Sequence, residues 1–152
     1  MRHQPTLEAR ALSYLARREH SRHELERKLV THANPPTSEA LSDVLDKLEK
    51  RGFLSAERVV EQVIRMRRHK FGSQRIVQEL KEKGIETHLI TNALPELIET
   101  ELETARAVWG KKFGVLPANI KERGKQMRFL SSRGFSSEII RQVLQSADKA
   151  HT

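Results

Sequence analysis

Residues 79–94 read ELKEKGIETHLITNAL, and the same pattern returns fifty positions later, at residues 129–144, as FLSSRGFSSEIIRQVL. In each segment an apolar stripe ends, a glycine and an apolar residue follow, and a second stripe begins. Apolar residues spaced three and four apart form one face of an α-helix, and glycine readily ends a helix. Each segment therefore predicts two helices joined by a tight glycine turn.

The first third of the chain carries a further copy of this pattern. A shift of 49 positions places the apolar stripe of residues 41–48 on that of residues 90–97. Any helical protein repeats its apolar spacing, but here the terminating glycines recur together with the stripes. We expect an all-α protein of three tandem three-helix, helix-turn-helix-like repeats, which span residues 6–54, 55–97 and 98–148.

Local signals place the ends of several helices. Ser21 and Glu24 have the spacing of a capping box, in which each side chain accepts a hydrogen bond from the other residue's backbone N–H. Ser73 is expected to cap a helix, and Pro95 and Pro117 are each expected to open one. Five glycines are expected to end helices in the left-handed conformation: Gly52, Gly72, Gly84, Gly114 and Gly134.

The charge balance points to a polyanionic partner. The chain has 28 Lys and Arg against 20 Asp and Glu, a formal net charge of +8. Nucleic acid or a nucleoprotein is the first candidate, although a charged helical surface also serves solubility alone. The chain has no Cys, which excludes disulfides, a thiol nucleophile and thiolate metal sites and favours the cytoplasm. Residues 1–5 lack the apolar core of a signal peptide, and no later run approaches the roughly 18 apolar residues of a membrane span.

Nothing in the sequence has the spacing of a catalytic or cofactor site. No glycine-rich phosphate loop, nucleophile elbow or zinc-protease motif occurs. His20 and His23 lie three apart, but a lone pair of histidines across a predicted helix cap is too few ligands for a metal. We therefore expect no catalytic residues, no metal and no cofactor, and a binding protein rather than an enzyme.

Four segments together resemble the RecX family, the bacterial regulatory proteins that bind RecA recombinase filaments. They are residues 11–25 (ALSYLARREHSRHEL), 65–72 (RMRRHKFG), 79–85 (ELKEKGI) and 129–136 (FLSSRGFS). Their order and spacing carry the resemblance, which covers nearly the whole chain. The sequence departs from the family at residues 31–36, where a glycine turn is usual, and at Ser55 and Val59, where Asp and Phe are common.

The resemblance implies an elongated, curved, monomeric protein that lies in the helical groove of a RecA filament on single-stranded DNA. In the family, filament extension, ATP hydrolysis and strand exchange by RecA are damped. Binding to single-stranded DNA alone is expected to be weak and to use the basic surface. The alternative is an independent helix-turn-helix DNA-binding protein or transcription regulator, which would prefer particular duplex sequences.

The charges are segregated along the chain. Residues 61–84 hold seven Lys or Arg against three Asp or Glu, and residues 106–133 hold eight against one. Between them, residues 86–105 hold five Glu and neither Lys nor Arg. Basic faces separated by an acidic patch would orient the protein on a filament that presents phosphates and acidic protein surface together.

Twelve cations are the candidate RecA-binding and DNA-binding residues: Arg65, Arg67, Arg68, Lys70, Arg75, Lys111, Lys112, Lys121, Arg123, Lys125, Arg128 and Arg133. Arginine suits phosphate and carboxylate through its planar fork, whereas lysine acts as a point charge. Trp109, Phe113 and Phe129 interleave with the last cluster, either as a base-stacking surface or, as their helical spacing favours for Trp109, as core. The competing interpretation is a solvated helix face, where single replacements change stability by only about 0.5 kcal/mol.

Overall fold

The chain folds into α-helices, as the sequence predicts. The computed structural model describes residues 4–150, with side chains through residue 145. Residues 1–3, part of the segment expected to lack a signal peptide, lie outside the described residues. Eight helices and no strands occur in the described part of the chain: α1 Leu7–Arg17, α2 Arg22–Val30, α3 Ser38–Lys50, α4 Ala56–Arg67, α5 Ser73–Glu82, α6 Thr87–Lys112, α7 Ile120–Ser132 and α8 Ser137–Ala150. None of these described helices is long and apolar enough to cross a membrane.

Three separate hydrophobic cores confirm the three-unit architecture. The first core lies among α1, α2 and α3, the second among α4, α5 and the first half of α6, and the third among the second half of α6, α7 and α8. Leu25, Leu80 and Phe135 are among the fully buried side chains of the first, second and third cores. The accessible surface is 10274 Å², against about 7,900 Å² for a compact monomer of this mass. Small units in a row have this larger surface because each buries only its own core.

A single helix, α6, joins the second and third units. The prediction that Pro95 opens a new helix is wrong, because α6 runs for 26 residues with this proline inside it. Ile90 and Leu97 are buried in the second core and Ala105 in the third, so α6 is packed on both sides of the proline. This burial outweighs the helix-breaking preference of proline, which costs about 3 kcal/mol in a helix interior. The expected boundary at residues 97 and 98 therefore falls within a continuous helix.

Capping side chains, and not prolines, mark where α2 and α7 begin. The capping box is confirmed, with the Ser21 N–H 3.1 Å from Glu24 Oε1 and the Glu24 N–H 3.1 Å from Ser21 Oγ. The prediction that Pro117 opens α7 is wrong. Instead Asn119 accepts a 2.9 Å hydrogen bond from the Glu122 N–H, and the helix starts at residue 120.

Four of the five predicted glycine terminators have a positive φ, namely Gly52, Gly84, Gly114 and Gly134. The prediction for Gly72 is wrong: its φ is −81°, and it is the N-cap residue of α5 rather than the end of α4. A Cβ on Gly72 would lie 2.4 Å from the carbonyl oxygen of Gly134. This glycine is therefore required by close packing and not by a left-handed backbone.

The same two elements meet at both joints between units: the start of a unit's second helix and the glycine turn of the next unit. At the first joint, a Cβ on Gly84 would lie 2.7 Å from the Cβ of His23, near the start of α2. At the second joint, the Gly72 N–H donates to the Arg133 carbonyl at 2.7 Å, and the Gln74 N–H donates to the Gly134 carbonyl at 3.2 Å. None of these joint contacts involves the connection between α2 and α3, where the sequence lacks the glycine that is usual in the family.

Candidate RecA and nucleic-acid interface

One cleft collects cations from the second and third units. It has a volume of about 620 Å³ and is lined by His69, Lys70, Ala107, Val108, Lys111, Lys112, Phe129 and Arg133. We call it the cationic cleft, because four of these side chains are Lys or Arg and no carboxylate lines it. Cations gathered in a concave surface reinforce one another's potential toward an anion.

The ends of three helices position these cations. Lys70 lies in the turn after α4, Lys111 and Lys112 lie in the last turn of α6, and Arg133 is the C-cap residue of α7. Cations are favoured at helix C-termini, where the helix dipole is negative. The local sequence thus places each cation, while packing along α6 brings them together.

Several of the cations contact aromatic rings, so that cations and rings alternate along this surface. The Arg75 guanidinium lies 4.2 Å from the centre of the Phe71 ring. Arg133 lies 5.5 Å from the Phe71 ring and 5.0 Å from the Phe129 ring. Lys112 Nζ lies 5.5 Å from the Phe129 ring. Ring contacts of this kind fix long side chains without neutralising them, which lowers the entropy lost when an anion binds.

Two of the predicted arginines instead form ion pairs within the second unit. Arg67 Nε lies 3.0 Å from Glu79 Oε1. Arg68 contacts Glu96 Oε1 at 2.9 Å and Thr100 Oγ1 at 3.2 Å. Because their charges are already compensated, these two residues contribute less than the cleft residues to attraction of an anion.

Arg65 lines a neighbouring cleft of about 670 Å³ between α4 and α6. Carboxylates also line this cleft, those of Glu61, Glu96 and Glu103. His69 and Ala107 line both clefts, so the two are continuous along α6. The neighbouring cleft therefore carries both charges, whereas the cationic cleft is lined by cations without carboxylates.

The remaining four candidates lie on α7, outside the lining of either cleft: Lys121, Arg123, Lys125 and Arg128. All four are exposed, and none forms an ion pair with another described residue. The structure therefore divides the twelve predicted cations into four in the cationic cleft, three within the second unit, four on α7, and Arg75, which donates to the Ser132 carbonyl at 3.1 Å and so bridges the second and third units.

The aromatic residues near these cations are part of the packing. Trp109 packs against the third core and donates from Nε1 to Gln126 Oε1 at 2.8 Å. Gln126 is itself buried, and its Nε2 donates to the Val115 carbonyl at 3.1 Å. Phe113 meets the Phe129 ring edge to face, with 5.4 Å between ring centres. Phe129 alone of the three aromatic residues lines the cationic cleft.

A buried carboxylate that is not among the residues predicted from the sequence, that of Glu101, fixes the start of α5. Glu101 is only 6% exposed, and its Oε1 accepts hydrogen bonds from both the N–H and the hydroxyl of Ser73, each at 3.0 Å. Ser73 is thus the first helical residue and not the N-cap that the sequence predicted, and Glu101 satisfies its N–H in place of a side-chain cap. The available signal was a Glu within the stripe of Leu97 and Ala105, at the i, i+4, i+8 spacing of a buried face.

His20 is a buried structural residue of the first unit. Its Nδ1 lies 3.0 Å from the Arg18 carbonyl, and its Nε2 lies 2.9 Å from Lys28 Nζ. Burial lowers the pKa of His20 below its usual value, and the charges of Arg18 and Lys28 act in the same direction. The neutral ring therefore donates from Nδ1 and accepts from lysine at Nε2. Among the described residues, no group of three or more His, Asp and Glu has an arrangement that would hold a metal ion.

Glu24 ties the first unit to the second. Its carboxylate lies 3.0 Å from the Arg18 guanidinium and 3.1 Å from Lys83 Nζ of the next unit. Burial opposes its ionisation, but hydrogen bonds from the Ser21 N–H, Arg18 and Lys83 lower the pKa of Glu24 to about 2. The first joint is thus an ionic contact in addition to a close packing contact.

Comparisons with known proteins agree with this architecture. Models of the three RecX three-helix domains match residues 9–36, 57–94 and 99–144, in that order. The crystal structure of RecX from Lactobacillus salivarius superposes with a TM-score of 0.75, covering 94% of this chain and 95% of that one. At 20% sequence identity this likeness concerns the fold alone.

Sequence relatives extend over almost the full chain. A regulatory protein RecX from Leptothrix cholodnii is 51% identical, covering 99% of this chain and 94% of that protein. A regulatory protein RecX from Ralstonia pickettii is 41% identical, covering 95% of this chain and 89% of that protein. With three domain models matched in order and relatives of this identity, the chain belongs to the RecX family.

Proposed function

We propose that this protein is a non-enzymatic regulator that binds RecA and RecA filaments on single-stranded DNA and reduces filament extension, ATP hydrolysis and strand exchange. The names of its relatives, regulatory protein RecX, support a regulatory role connected with RecA. We expect it to act in the cytoplasm as a monomer, with RecA filaments as its partner.

The observation that carries the proposal is the cationic cleft. Cations of two units converge there around an aromatic ring, with no carboxylate in the lining. Four such cations suit a phosphate backbone, and each phosphate contact makes binding weaker as salt rises. Binding to naked single-stranded DNA through this small cleft is expected to be weak. Contacts from three linked units to neighbouring RecA subunits would add to it through effective concentration.

The alternative, a sequence-specific helix-turn-helix protein, places the helix after each turn in the major groove. Among the described side chains of those helices, unpaired cations are few. The first half of α6, residues 87–97, has neither Lys nor Arg. In α8, Arg141 is paired with Glu138 at 2.6 Å, and α3 has four Asp or Glu against two Lys. The charge distribution therefore favours the filament over duplex DNA.

The test is RecA ATPase activity on single-stranded DNA, titrated with this protein. We expect the rate to fall to a low plateau. The same titration with a cleft variant, in which Lys70, Lys111 and Lys112 are all changed to Gln, should need more protein for the same inhibition. A control variant with Arg17, Arg27 and Lys50 changed to Gln removes the same charge from exposed positions of the first unit. An ATPase rate that stays unchanged at saturating wild-type protein would refute the proposed function.

A further inference from the structure

The start of α7 corresponds to the starts of α2 and α5 in the first two units, but it is exposed where those two are covered. The start of α2 and the start of α5 each pack against the glycine turn of the following unit. The start of α7 has no such covering among the described residues. Ile120, its first residue, is 90% exposed, and Val115 in the preceding loop is 71% exposed.

This exposed region is held in a fixed conformation. Gln126 is buried beneath it and bridges the Trp109 Nε1–H and the Val115 carbonyl. Asn119 caps the helix at its start. The apolar side chains are thus presented on an ordered frame, which lowers the entropy cost of binding a partner.

The outward face of α7 has an apolar centre and a cationic rim. Ile120, Gly124 and Met127 lie at i, i+4 and i+7 along one face of the helix, and Met127 is also exposed. The four cations named above for α7, Lys121, Arg123, Lys125 and Arg128, lie around this line on the exposed surface of the helix. Glycine within a helix is destabilising relative to alanine. Only the flexible end of the Arg128 side chain lies over Gly124, so the backbone of another molecule would approach closely here once that side chain moves aside. We call this surface the α7 face.

We infer that the α7 face is the docking surface for an acidic, apolar-striped helix on a protein partner, while the cationic cleft is the part that meets phosphate. This inference rests on the proposed function, which supplies the filament protein as the partner. An exposed isoleucine at the centre and cations at the rim match a protein interface, with an apolar core and a polar rim. A nucleic-acid interface is more polar and would leave Ile120 in contact with a phosphate backbone.

A second copy of this chain is a poor occupant of the α7 face. In another copy the turns with Gly84 and Gly134 are already occupied at that copy's own joints, and the corresponding connection of the first unit, residues 31–37, has no glycine, so no matching glycine turn is free to cover α7. Pairing of two α7 faces would also bring their cationic rims together. Like charges brought into contact disfavour an interface, whereas an acidic helix is attracted.

Crosslinking identifies the occupant directly. The chain has no Cys, so a single cysteine carries a photoreactive label at one chosen position. With RecA filaments on a single-stranded oligonucleotide, label at Ile120→Cys should crosslink to RecA, and label at Lys111→Cys should crosslink to the oligonucleotide. Crosslinking of position 120 mainly to the oligonucleotide, or to a second copy of this protein, would overturn the inference.

Two variants test whether the contact matters for binding. Ile120→Ser should weaken filament binding at least about fivefold, as loss of a central apolar contact does. Gly124→Ala should also weaken filament binding, yet raise the melting temperature, because alanine favours the helix and only the flexible end of Arg128 lies near the added Cβ, at 3.0 Å. Met66→Ser, at an exposed apolar position on α4, should leave binding unchanged.

The outcomes separate the two proposals. If wild-type protein binds filaments and both α7 variants bind equally well, the α7 face has a different role and the proposed function stands. If wild-type protein does not bind RecA filaments at all, both proposals fail.

Discussion

The Gly72 amide donates a 2.7 Å hydrogen bond to the Arg133 carbonyl, and this contact fixes the start of α5 on the turn between α7 and α8. The two residues are far apart in the sequence and belong to different units. This contact and the continuous α6 fix the position of the second unit relative to the third. The cationic cleft, which draws its residues from both units, depends on that relative position.

Replacing Gly72 with alanine should therefore loosen the second joint. The added Cβ would lie 2.4 Å from the Gly134 carbonyl oxygen and 2.7 Å from the Phe135 ring. Overpacking of this kind costs about 1–3 kcal/mol of the free energy of unfolding. Urea denaturation measures the loss. Gly110→Ala is the matched control, because a Cβ there meets nothing within 4 Å, and it should stabilise α6 by about 0.5–1 kcal/mol. Equal stability of the two variants would show that Gly72 is not closely packed against the turn at Gly134.

Changing Glu101 to Gln should destabilise the start of α5. The buried carboxylate accepts from the Ser73 N–H and hydroxyl, and Gln keeps the shape but loses the charge that strengthens these bonds. The expected loss is about 1–3 kcal/mol in the free energy of unfolding. Glu103→Gln, on an exposed position of the same helix, should change it by no more than about 0.5 kcal/mol. Indistinguishable denaturation curves for the two variants would mean that Glu101 is not an important cap.

The sequence predicts the elements whose signals are local. The capping box at Ser21 and the left-handed turns at Gly84 and Gly134 depend on neighbouring residues alone, so their patterns are visible without the fold. The local sequence does not predict that Pro95 lies inside a helix, because it is burial in two cores that keeps α6 continuous. Nor does it predict the role of Gly72, whose close contact is with a residue of another unit.

The sequence predicts which segments supply the cations of the candidate site, but it does not predict which of these cations lie together. Charge segregation along the chain identified the basic segments that supply the cationic cleft. Which arginines are compensated depends on partners elsewhere in the fold, such as Glu79 for Arg67 and Glu96 for Arg68. The convergence of Lys70 with Arg133 likewise requires the second joint. Packing between units therefore decides which cations act together.

Acidification below neutral pH should weaken the fold through His20. Its pKa is lowered in the folded state, so the unfolded chain binds the proton first as the pH falls. The stability from the neutral ring is present above about pH 6.5 and is lost as the pH falls through the folded-state pKa. Lys28 and Arg18 face the ring and oppose its protonation, while Glu24 favours it. Urea denaturation at pH 7.5 and 5.5 should show this decrease. His20→Asn should show a smaller decrease, and an equal decrease in both proteins would contradict the assignment.

Glu24 should affect the free energy of unfolding at a lower pH than His20 does. Its folded pKa is about 2, so its contribution to stability is complete above about pH 4.5 and is lost as the pH falls toward 2. Glu24→Gln should therefore lower stability at pH 6 and flatten the loss of stability below pH 4.5. Glu26→Gln, on an exposed position of the same helix, is the control. A Glu24→Gln variant that keeps the wild-type acid dependence would show that another carboxylate governs this range.

The salt dependence of filament binding shows whether the cationic cleft meets phosphate in a RecA filament. The affinity of wild-type protein, the cleft variant and the charge-matched control variant is measured on RecA filaments at several salt concentrations. Because each phosphate contact contributes about −0.7 to the slope of log affinity against log salt on a single strand, the cleft variant should show a shallower slope and weaker binding at low salt. The control variant should match wild type. If the cleft variant instead keeps the wild-type affinity and slope, the cleft does not bind phosphate and the account is wrong.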